Sequence, residues 1–195
     1  KTSCVELLAR KLTGSGHAAA ILSRGYGGKL KNYWLKSASG SLFLDGLPAC
    51  AAGAAGRPAE SLEGIADEPQ LLAAALEGVP VGVGSRRTLT GRVACEQWAA
   101  QVLLLDDGFQ HRQVYRDCDV VLGHARTPFD GWPLLPRGPM REPLAALKRA
   151  HVIMITKADE ALETLSALKE RCAMINRAAV VVTTVHEPIA IQDPI

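Results

Sequence analysis

The chain has 195 residues, of which 22 are basic and 20 acidic, a formal net charge of +2, and 48% are hydrophobic. This length and composition suffice for a globular fold with a full hydrophobic core, and they exclude a disordered or collagen-like chain. The near balance of charge argues against nucleic acid as a partner, since sequence-independent binding to phosphate backbones needs a strongly basic surface.

The five cysteines lie singly along the chain, with no Cys-x-x-Cys pair. This spacing predicts neither a zinc site nor a disulfide framework, and it fits a reducing compartment. No apolar run approaches the roughly 20 residues that cross a bilayer, and the first residues do not resemble a signal peptide. Because residue 1 is Lys rather than Met, we expect the chain to be part of a longer protein.

Short apolar runs alternate with helical patterns along the chain. The sequence predicts strands at 18–22, 81–83, 102–105, 120–122, 152–155 and 180–185, and helices at 3–12, 69–76, 89–101, 143–148 and 160–172. The strand runs have no polar alternation, which is typical of strands buried on both faces. Strand and helix in alternation predict an α/β fold with βαβ crossovers and a mostly parallel sheet. Ligands of such sheets bind at the carboxyl ends of the strands.

Two stretches interrupt this alternation. Residues 36–64 are rich in Ala, Gly and Ser, and we predict a loop or an insertion there rather than a packed element. Residues 127–143 are rich in proline, which forbids a continuous helix and predicts a long loop. No linker divides the chain, so we predict a single domain over residues 1–195.

Lys1-Thr2-Ser3 leads directly into the first helical pattern. It matches the end of a phosphate-binding loop, Gly-x-x-x-x-Gly-Lys-Ser/Thr, in which the Lys reaches the β- and γ-phosphates and the hydroxyl binds magnesium. For so short a match, a chance N-terminus is the commoner explanation. We retain Lys1 and Thr2 as candidate phosphate ligands, and Thr2 also as a candidate magnesium ligand, on account of the motifs that follow.

Asp67-Glu68-Pro69 opens a predicted helix. Capping of the helix N-terminus explains these acids without a functional role. The functional alternative is that Asp67 is a general base, which takes the proton from an attacking hydroxyl beside a nucleotide phosphate. The position of Asp67 in the fold decides between the two.

A second pair of acids stands at the end of the strand predicted at 102–105. Asp106 and Asp107 follow this strand directly, where a P-loop enzyme places the carboxylate that holds magnesium. The structural alternative is that Asp106 caps the next turn and Asp107 is solvated. Gln110 and His111 come shortly after, and both could meet a substrate at the strand end.

Three arginines are candidates to bind an anionic substrate. Arg24 precedes a glycine-rich loop, whose backbone can approach a ligand closely. Arg87 follows the strand at 81–83, where a phosphate clamp and a solvated loop are equally compatible with the sequence. Arg141 lies between Pro139 and Pro143, which restrict its loop.

Residues 156–159, Thr-Lys-Ala-Asp, follow the strand at 152–155 and resemble the guanine-recognition motif of GTPases. The motif is short, but it is the main argument for GTP. It leaves open a GTPase or a metallochaperone-type P-loop NTPase. A non-catalytic folded module is a third hypothesis, favoured by the lack of a glycine-rich phosphate loop in the chain.

Four motifs, in this order, resemble those of the tetraacyldisaccharide 4'-kinases, the lipid A 4'-kinase family. They are 23–28 (Ser-Arg-Gly-Tyr-Gly-Gly), 67–69 (Asp-Glu-Pro), 105–111 (Leu-Asp-Asp-Gly-Phe-Gln-His) and 135–143 (Leu-Pro-Arg-Gly-Pro-Met-Arg-Glu-Pro). The resemblance implies a P-loop NTPase-like, three-layer α/β/α fold. It also implies transfer of the γ-phosphate of ATP, with Mg²⁺, to the 4'-hydroxyl of tetraacyldisaccharide 1-phosphate, which gives lipid IVA.

The resemblance implies roles for individual residues. Lys1 and Thr2 match the end of the family's phosphate loop, and Asp67 matches the acid that activates the sugar hydroxyl. The metal-associated acids correspond to Asp106 and Asp107. The motifs that line the nucleotide or lipid headgroup site contain Arg24, Arg87, Gln110, His111 and Arg141.

The chain departs from the family's pattern at both ends. The phosphate-loop glycines and the apolar N-terminal segment, through which the family sits on the cytoplasmic face of the inner membrane, are absent. At the other end the family has a catalytic His in an Asp-His-His type motif, and no such motif follows Val185 in this chain. We therefore expect a piece truncated at both ends and inactive alone. We expect its parent protein to be peripheral or monotopic at that membrane face, with the lipid A disaccharide precursor as partner.

Overall fold

The computed structural model describes residues 1–29, 32–38, 41–46, 57–58, 63–126, 133–138 and 140–187. The elements are α1 (Thr2–Gly14), β1 (Ala19–Ser23), β2 (Tyr33–Ala38), β3 (Ser41–Gly46), β4 (Arg57–Pro58), α2 (Asp67–Ala75), β5 (Val81–Val83), α3 (Arg87–Trp98), β6 (Val102–Leu105), β7 (Val120–His124), β8 (Val152–Thr156), α4 (Leu162–Ile175) and β9 (Val180–Thr183). Two 3-10 helices lie at Leu144–Arg149 and Ala158–Ala161. No helix within these ranges is long and apolar enough to cross a membrane.

The chain divides into two compact units, Lys1–Val114 and Tyr115–Ile195. A compact unit need not be a domain that folds alone, because a domain also needs its own complete core. The single domain over residues 1–195 therefore stays a prediction.

The first unit contains a six-stranded sheet in the order β4-β3-β2-β5-β1-β6. β1 pairs in parallel with both neighbours, with Ile21 opposite Val81 of β5 and Leu104 of β6. Beyond β5, the strands β2, β3 and β4 add antiparallel pairs towards one edge. The parallel strands are those that the sequence predicts, so the α/β class is confirmed.

The stretch 36–64 contributes strands to this sheet. It contains the end of β2, all of β3 and β4, while 39–40, 47–56 and 59–62 lie outside the described residues. The prediction of a loop without packed elements is wrong at these strands. Pairing with a neighbouring strand decides strand formation there, and Ser- and Gly-rich local sequence does not record that pairing. An antiparallel extension of a parallel sheet is still compatible with an insertion.

Helices cover both faces of the first sheet. Ile21 of β1 packs with Leu72 of α2 in a cluster that also includes α1. Its neighbours Ala20 and Leu22 pack with Val93 of α3 in a separate cluster. Successive side chains of a strand point to opposite faces, which explains why this strand has no polar alternation. The predicted three-layer α/β/α arrangement is present in this unit.

Gly82 of β5 lies against the buried face of Trp34. A Cβ at residue 82 would lie 2.6 Å from Trp34 Cη2 and 2.6 Å from Thr90 Cγ2. Trp34 is 1% exposed and packs on Trp98, with ring centroids 4.5 Å apart. We predict that Gly82→Ala lowers the free energy of unfolding by about 1–3 kcal/mol, because this packing cannot admit a methyl group without displacement. Gly14→Ala is the control, since a Cβ there meets nothing within 4 Å; equal urea midpoints would contradict the prediction.

The second unit contains a three-stranded parallel sheet in the order β7-β8-β9. Ile153 and Ile155 of β8 pack with Leu168 and Cys172 of α4. After α4, the Nδ2 of Asn176 donates to two backbone carbonyls at 2.9 and 2.8 Å, which holds the end of the helix. The helix predicted at 143–148 is a 3-10 helix, Leu144–Arg149. The helix predicted at 160–172 begins in the 3-10 helix Ala158–Ala161 and continues as α4.

Candidate active site

The candidate residues of the first unit follow strands that end at one edge of its sheet. Arg24 follows β1, Arg87 begins α3 after β5, and Asp106 follows β6. Because β5, β1 and β6 are adjacent and parallel, their carboxyl ends meet at the same edge. Burial lowers the pKa of Arg87, Asp106 and Asp107 raise it, and Arg24 lowers it further. All four side chains are therefore electrostatic neighbours.

Arg87 is an interior cation. Its side chain is 4% exposed, and its Nη2 donates to the backbone carbonyl of Asp106 at 3.0 Å. Nη1 donates to the carbonyl of Asp107 at 3.5 Å. This burial excludes the solvated-loop alternative for Arg87. Its two hydrogen bonds stabilise the backbone of Asp106 and Asp107. Contact between Arg87 and a substrate stays a prediction.

Asp106 is a buried carboxylate, 2% exposed, directly after β6. The hydroxyl of Ser23 donates to its Oδ2 at 3.3 Å, whereas Oδ1 is buried with no hydrogen-bond partner. A buried carboxylate oxygen left unpaired is costly unless a cation compensates its charge. Mg²⁺ prefers such hard oxygen ligands, so Asp106 fits the metal that the sequence motifs imply. No local pattern in the sequence links Ser23 to a carboxylate 83 residues away, so this contact is not predictable from the sequence.

No three His, Cys, Asp or Glu side chains of the described ranges lie together in a way that could hold a metal ion. In nucleotide-dependent enzymes Mg²⁺ is commonly held by one or two carboxylates together with phosphate and water oxygens. Asp107 and Thr2 remain candidate ligands beside Asp106. Asp107 lies at a positive φ of 54°, at the turn that follows β6.

Lys1 lies between two of the acidic motifs. Its Nζ is 3.7 Å from Oδ2 of Asp107 and 3.9 Å from Oε1 of Glu68. All three side chains are 36–43% exposed, so these pairs contribute little stability. Their significance is positional, because the end of the phosphate-loop pattern, the start of α2 and the acid pair meet here. The sequence motif at 67–69 contains Glu68 but does not indicate that it lies beside Lys1.

Asp67 is the first residue of α2, and its side chain is exposed. The N-cap residue is Ala66, and no side chain caps the helix by a hydrogen bond. A side-chain capping hydrogen bond therefore does not account for Asp67. An acid in the first turn still interacts favourably with the helix dipole. Glu68, which follows Asp67, forms an ion pair with Lys1. Asp67 therefore begins its helix beside Lys1. Its role as a base stays a prediction.

Residues 1–192 match the model of the tetraacyldisaccharide-1-P 4'-kinase family, LpxK. The chain belongs to this family. It is 41% identical, over 98% of its length, to tetraacyldisaccharide 4'-kinase of Syntrophus aciditrophicus, and 43% identical, over 99%, to that of Anaeromyxobacter sp. (strain K). These matches cover 49% and 47% of the two proteins, so the chain spans about half the length of the curated relatives it matches.

A solved LpxK structure has the same fold. The crystal structure of LpxK from Aquifex aeolicus, described as an "apo" form in complex with ATP, is similar with a TM-score of 0.64 and 34% identity. The likeness covers 81% of this chain and 44% of that one. It confirms the predicted P-loop kinase class of fold.

Gln110 and His111 lie in the turn after the acid pair of the LpxK motif. The N–H of His111 donates to the carbonyl of Gly108 at 2.9 Å, which closes this turn. Gln110 is exposed, and His111 is half-buried. Arg24, in the glycine loop after β1, is also exposed. Binding of substrate by these three residues stays a prediction.

Arg141 belongs to the second unit, where its side chain is exposed. Its loop closes by a hydrogen bond from the N–H of Leu135 to the carbonyl of Met140 at 2.9 Å. The next residue, Glu142, forms an ion pair with Arg149 at 2.9 Å. These contacts restrict the Arg141 backbone, as the flanking prolines predict, and leave its role in substrate binding as a prediction.

The Thr-Lys-Ala-Asp motif at 156–159 lies at the end of β8. Lys157 Nζ is 3.2 Å from one oxygen of Glu160, and Arg126 Nε is 3.0 Å from the other. The hydrogen bond from Lys157 is the largest cause that lowers the pKa of Glu160, and Arg126 adds to it. Lys157 thus pairs with a carboxylate of its own turn, and this geometry adds no support for a guanine site.

Proposed function

We propose that the protein to which this chain belongs is an ATP-dependent lipid kinase. It phosphorylates the 4'-hydroxyl of tetraacyldisaccharide 1-phosphate and gives lipid IVA in lipid A biosynthesis. Membership of the LpxK family supports this assignment. The observation that carries it at the level of residues is Lys1, whose ammonium lies within 4 Å of both Glu68 and Asp107. A lysine in that position reaches the β- and γ-phosphates of a nucleotide in P-loop enzymes.

The site must first neutralise the negative charge of the nucleotide phosphates. Lys1 places a positive charge beside the transferred phosphoryl group, and Arg87 donates hydrogen bonds to the backbone carbonyls of Asp106 and Asp107. Asp106, with Asp107 and Thr2, would hold Mg²⁺. When bound, the metal ion neutralises charge on the phosphate oxygens as a Lewis acid.

Asp67 is the general base of the proposed reaction. Its carboxylate accepts the proton of the sugar 4'-hydroxyl, and the oxygen of that hydroxyl forms a bond to the γ-phosphorus of ATP. The bond between the γ-phosphorus and the bridging oxygen breaks in line, and ADP leaves with the electron pair. The exposed side chain at the start of α2 leaves Asp67 accessible to a substrate hydroxyl.

The substrate also determines where the enzyme acts. Its anionic headgroup suits the guanidinium group of Arg24, with Gln110 and His111 as further polar contacts in the same unit. Arg141 is a separate candidate substrate ligand, on the strength of its sequence motif alone. Because the acyl chains of this substrate reside in a bilayer, we place the enzyme at the cytoplasmic face of the inner membrane, in peripheral or monotopic attachment. Nucleic acid is not expected as a partner.

Phosphate transfer from γ-labelled ATP to tetraacyldisaccharide 1-phosphate tests this proposal. We expect the full-length protein to label the lipid, and residues 1–195 alone to be inactive. A full-length Lys1→Ala variant controls for a contaminating kinase and should be inactive. No labelling by the folded full-length protein with ATP would overturn the proposal, and labelling with GTP alone would favour the GTP-dependent alternative.

A further inference from the structure

We propose that Tyr33 is a positioning residue for the phosphoryl transfer, whose phenol holds the start of α2 and with it Asp67. This inference rests on the proposed function, in which Asp67 is the base. It assigns a role to a residue of β2, which lies outside the four motifs that the sequence shares with the LpxK family.

The contact is a buried hydrogen bond between two elements of the first unit. The backbone N–H of Ala66 donates to Tyr33 Oη at 3.2 Å. Tyr33 is 3% exposed and Ala66 is 2% exposed. Ala66 is the extended residue at which α2 begins, with φ −71° and ψ 142°, and no side chain caps this helix end. Burial raises the pKa of Tyr33, so the phenol stays protonated and neutral at this place.

The glycine loop after β1 encloses the same contact. A Cβ at Gly28 would lie 2.8 Å from the backbone N of Ala66. A Cβ at Gly25 would lie 3.8 Å from Tyr33 Oη and would overlap Cγ1 of Val83. Only residues without a side chain allow the loop to pack this closely. The glycine loop therefore packs directly against Ala66 and lies beside the phenol, whose oxygen accepts the hydrogen bond from the start of α2.

Asp67 follows Ala66 directly, so the position of its carboxylate depends on the Ala66 backbone. A general base must lie within hydrogen-bond reach of the proton that it removes. Tyr33→Phe keeps the ring and its packing but leaves the buried Ala66 N–H without its acceptor. We expect kcat to fall about 10-fold, because small misplacements of a catalytic group are costly, while KM for ATP stays within about twofold.

The test uses the full-length protein, with Tyr115→Phe as the matched control. Tyr115 is 89% exposed and belongs to the second unit, so its hydroxyl should not affect kcat. Tyr33→Phe is then introduced into an Asp67→Asn background and measured in single turnover with excess enzyme. Positioning of Asp67 predicts that Tyr33→Phe has no further effect there, whereas general destabilisation predicts the same loss in both backgrounds.

Hydrogen exchange gives a second readout that needs no activity. The amides at the start of α2 should exchange faster in Tyr33→Phe than in Tyr115→Phe. Unchanged kcat, unchanged exchange, or an equal loss in the Asp67→Asn background would each overturn the positioning role while leaving the lipid kinase intact. A wild-type protein that does not phosphorylate the lipid would instead overturn the proposed function, and the positioning role with it.

Discussion

Asp67→Asn in the full-length protein should lower turnover by about 10²–10⁴-fold while the affinity for ATP stays unchanged. The expected loss corresponds to roughly 3–5 kcal/mol of transition-state stabilisation. The amide cannot accept the proton of the sugar hydroxyl, but it keeps the size of the side chain and the start of α2. Steady-state kinetics with tetraacyldisaccharide 1-phosphate, together with nucleotide titration of the same preparation, measures both quantities.

Glu170→Gln is the matched control for this variant. Glu170 is an exposed carboxylate on α4 of the second unit, so the same loss of charge there should leave turnover unchanged. Turnover of Asp67→Asn equal to that of the control would remove Asp67 from the mechanism. The assignment of the base would then pass to another residue, while the family membership of the chain would stand.

The second large effect is expected at the buried acid. Asp106→Asn should raise the Mg²⁺ concentration for half-maximal activity by about 10- to 100-fold. The amide removes the negative charge at the unpaired Oδ1, while an amide oxygen can still accept the hydrogen bond from Ser23. The fold should therefore persist, and the metal titration should carry the effect.

A magnesium titration at fixed ATP measures this shift, with Asp117→Asn as the control. Asp117 is exposed in the second unit, so its titration should match the wild type. If Asp106→Asn also matched the wild type, Asp106 would not be a metal ligand. Its burial would then have to be explained by its contacts with Ser23 and Arg87 alone.

The strands of the parallel core were predictable from the sequence. The bounds predicted at 81–83 and 102–105 agree with β5 and β6 residue by residue, because short apolar runs between helical patterns identify strands buried on both faces. β3 was not predictable in this way. Its Ser-Leu-Phe-Leu-Asp-Gly sequence has only three apolar residues and lies in a stretch rich in Ala, Gly and Ser, and the structure shows it paired with β2.

The motifs at the strand ends could also be found in the sequence, but their geometry could not. Arg87 was equally compatible with a solvated loop, and only the fold shows that it is 4% exposed against the backbone of Asp106. The capping interpretation of Asp67 also needed the fold, because only the structure shows that no side chain caps α2 by a hydrogen bond. Burial and capping are properties of the folded environment, so a residue type and its neighbours in sequence do not determine them.

The sequence by itself determined the α/β class, the order of the four motifs and the family, because apolar periodicity and motif spacing are local properties of the chain. Only the tertiary structure decided that Ser23 donates to Asp106, that Lys1 lies between Glu68 and Asp107, and that Tyr33 supports Ala66. The partners in each of these contacts are more than 30 residues apart in the chain. Strand order and helix packing bring them together, and no local pattern records which distant residues will meet.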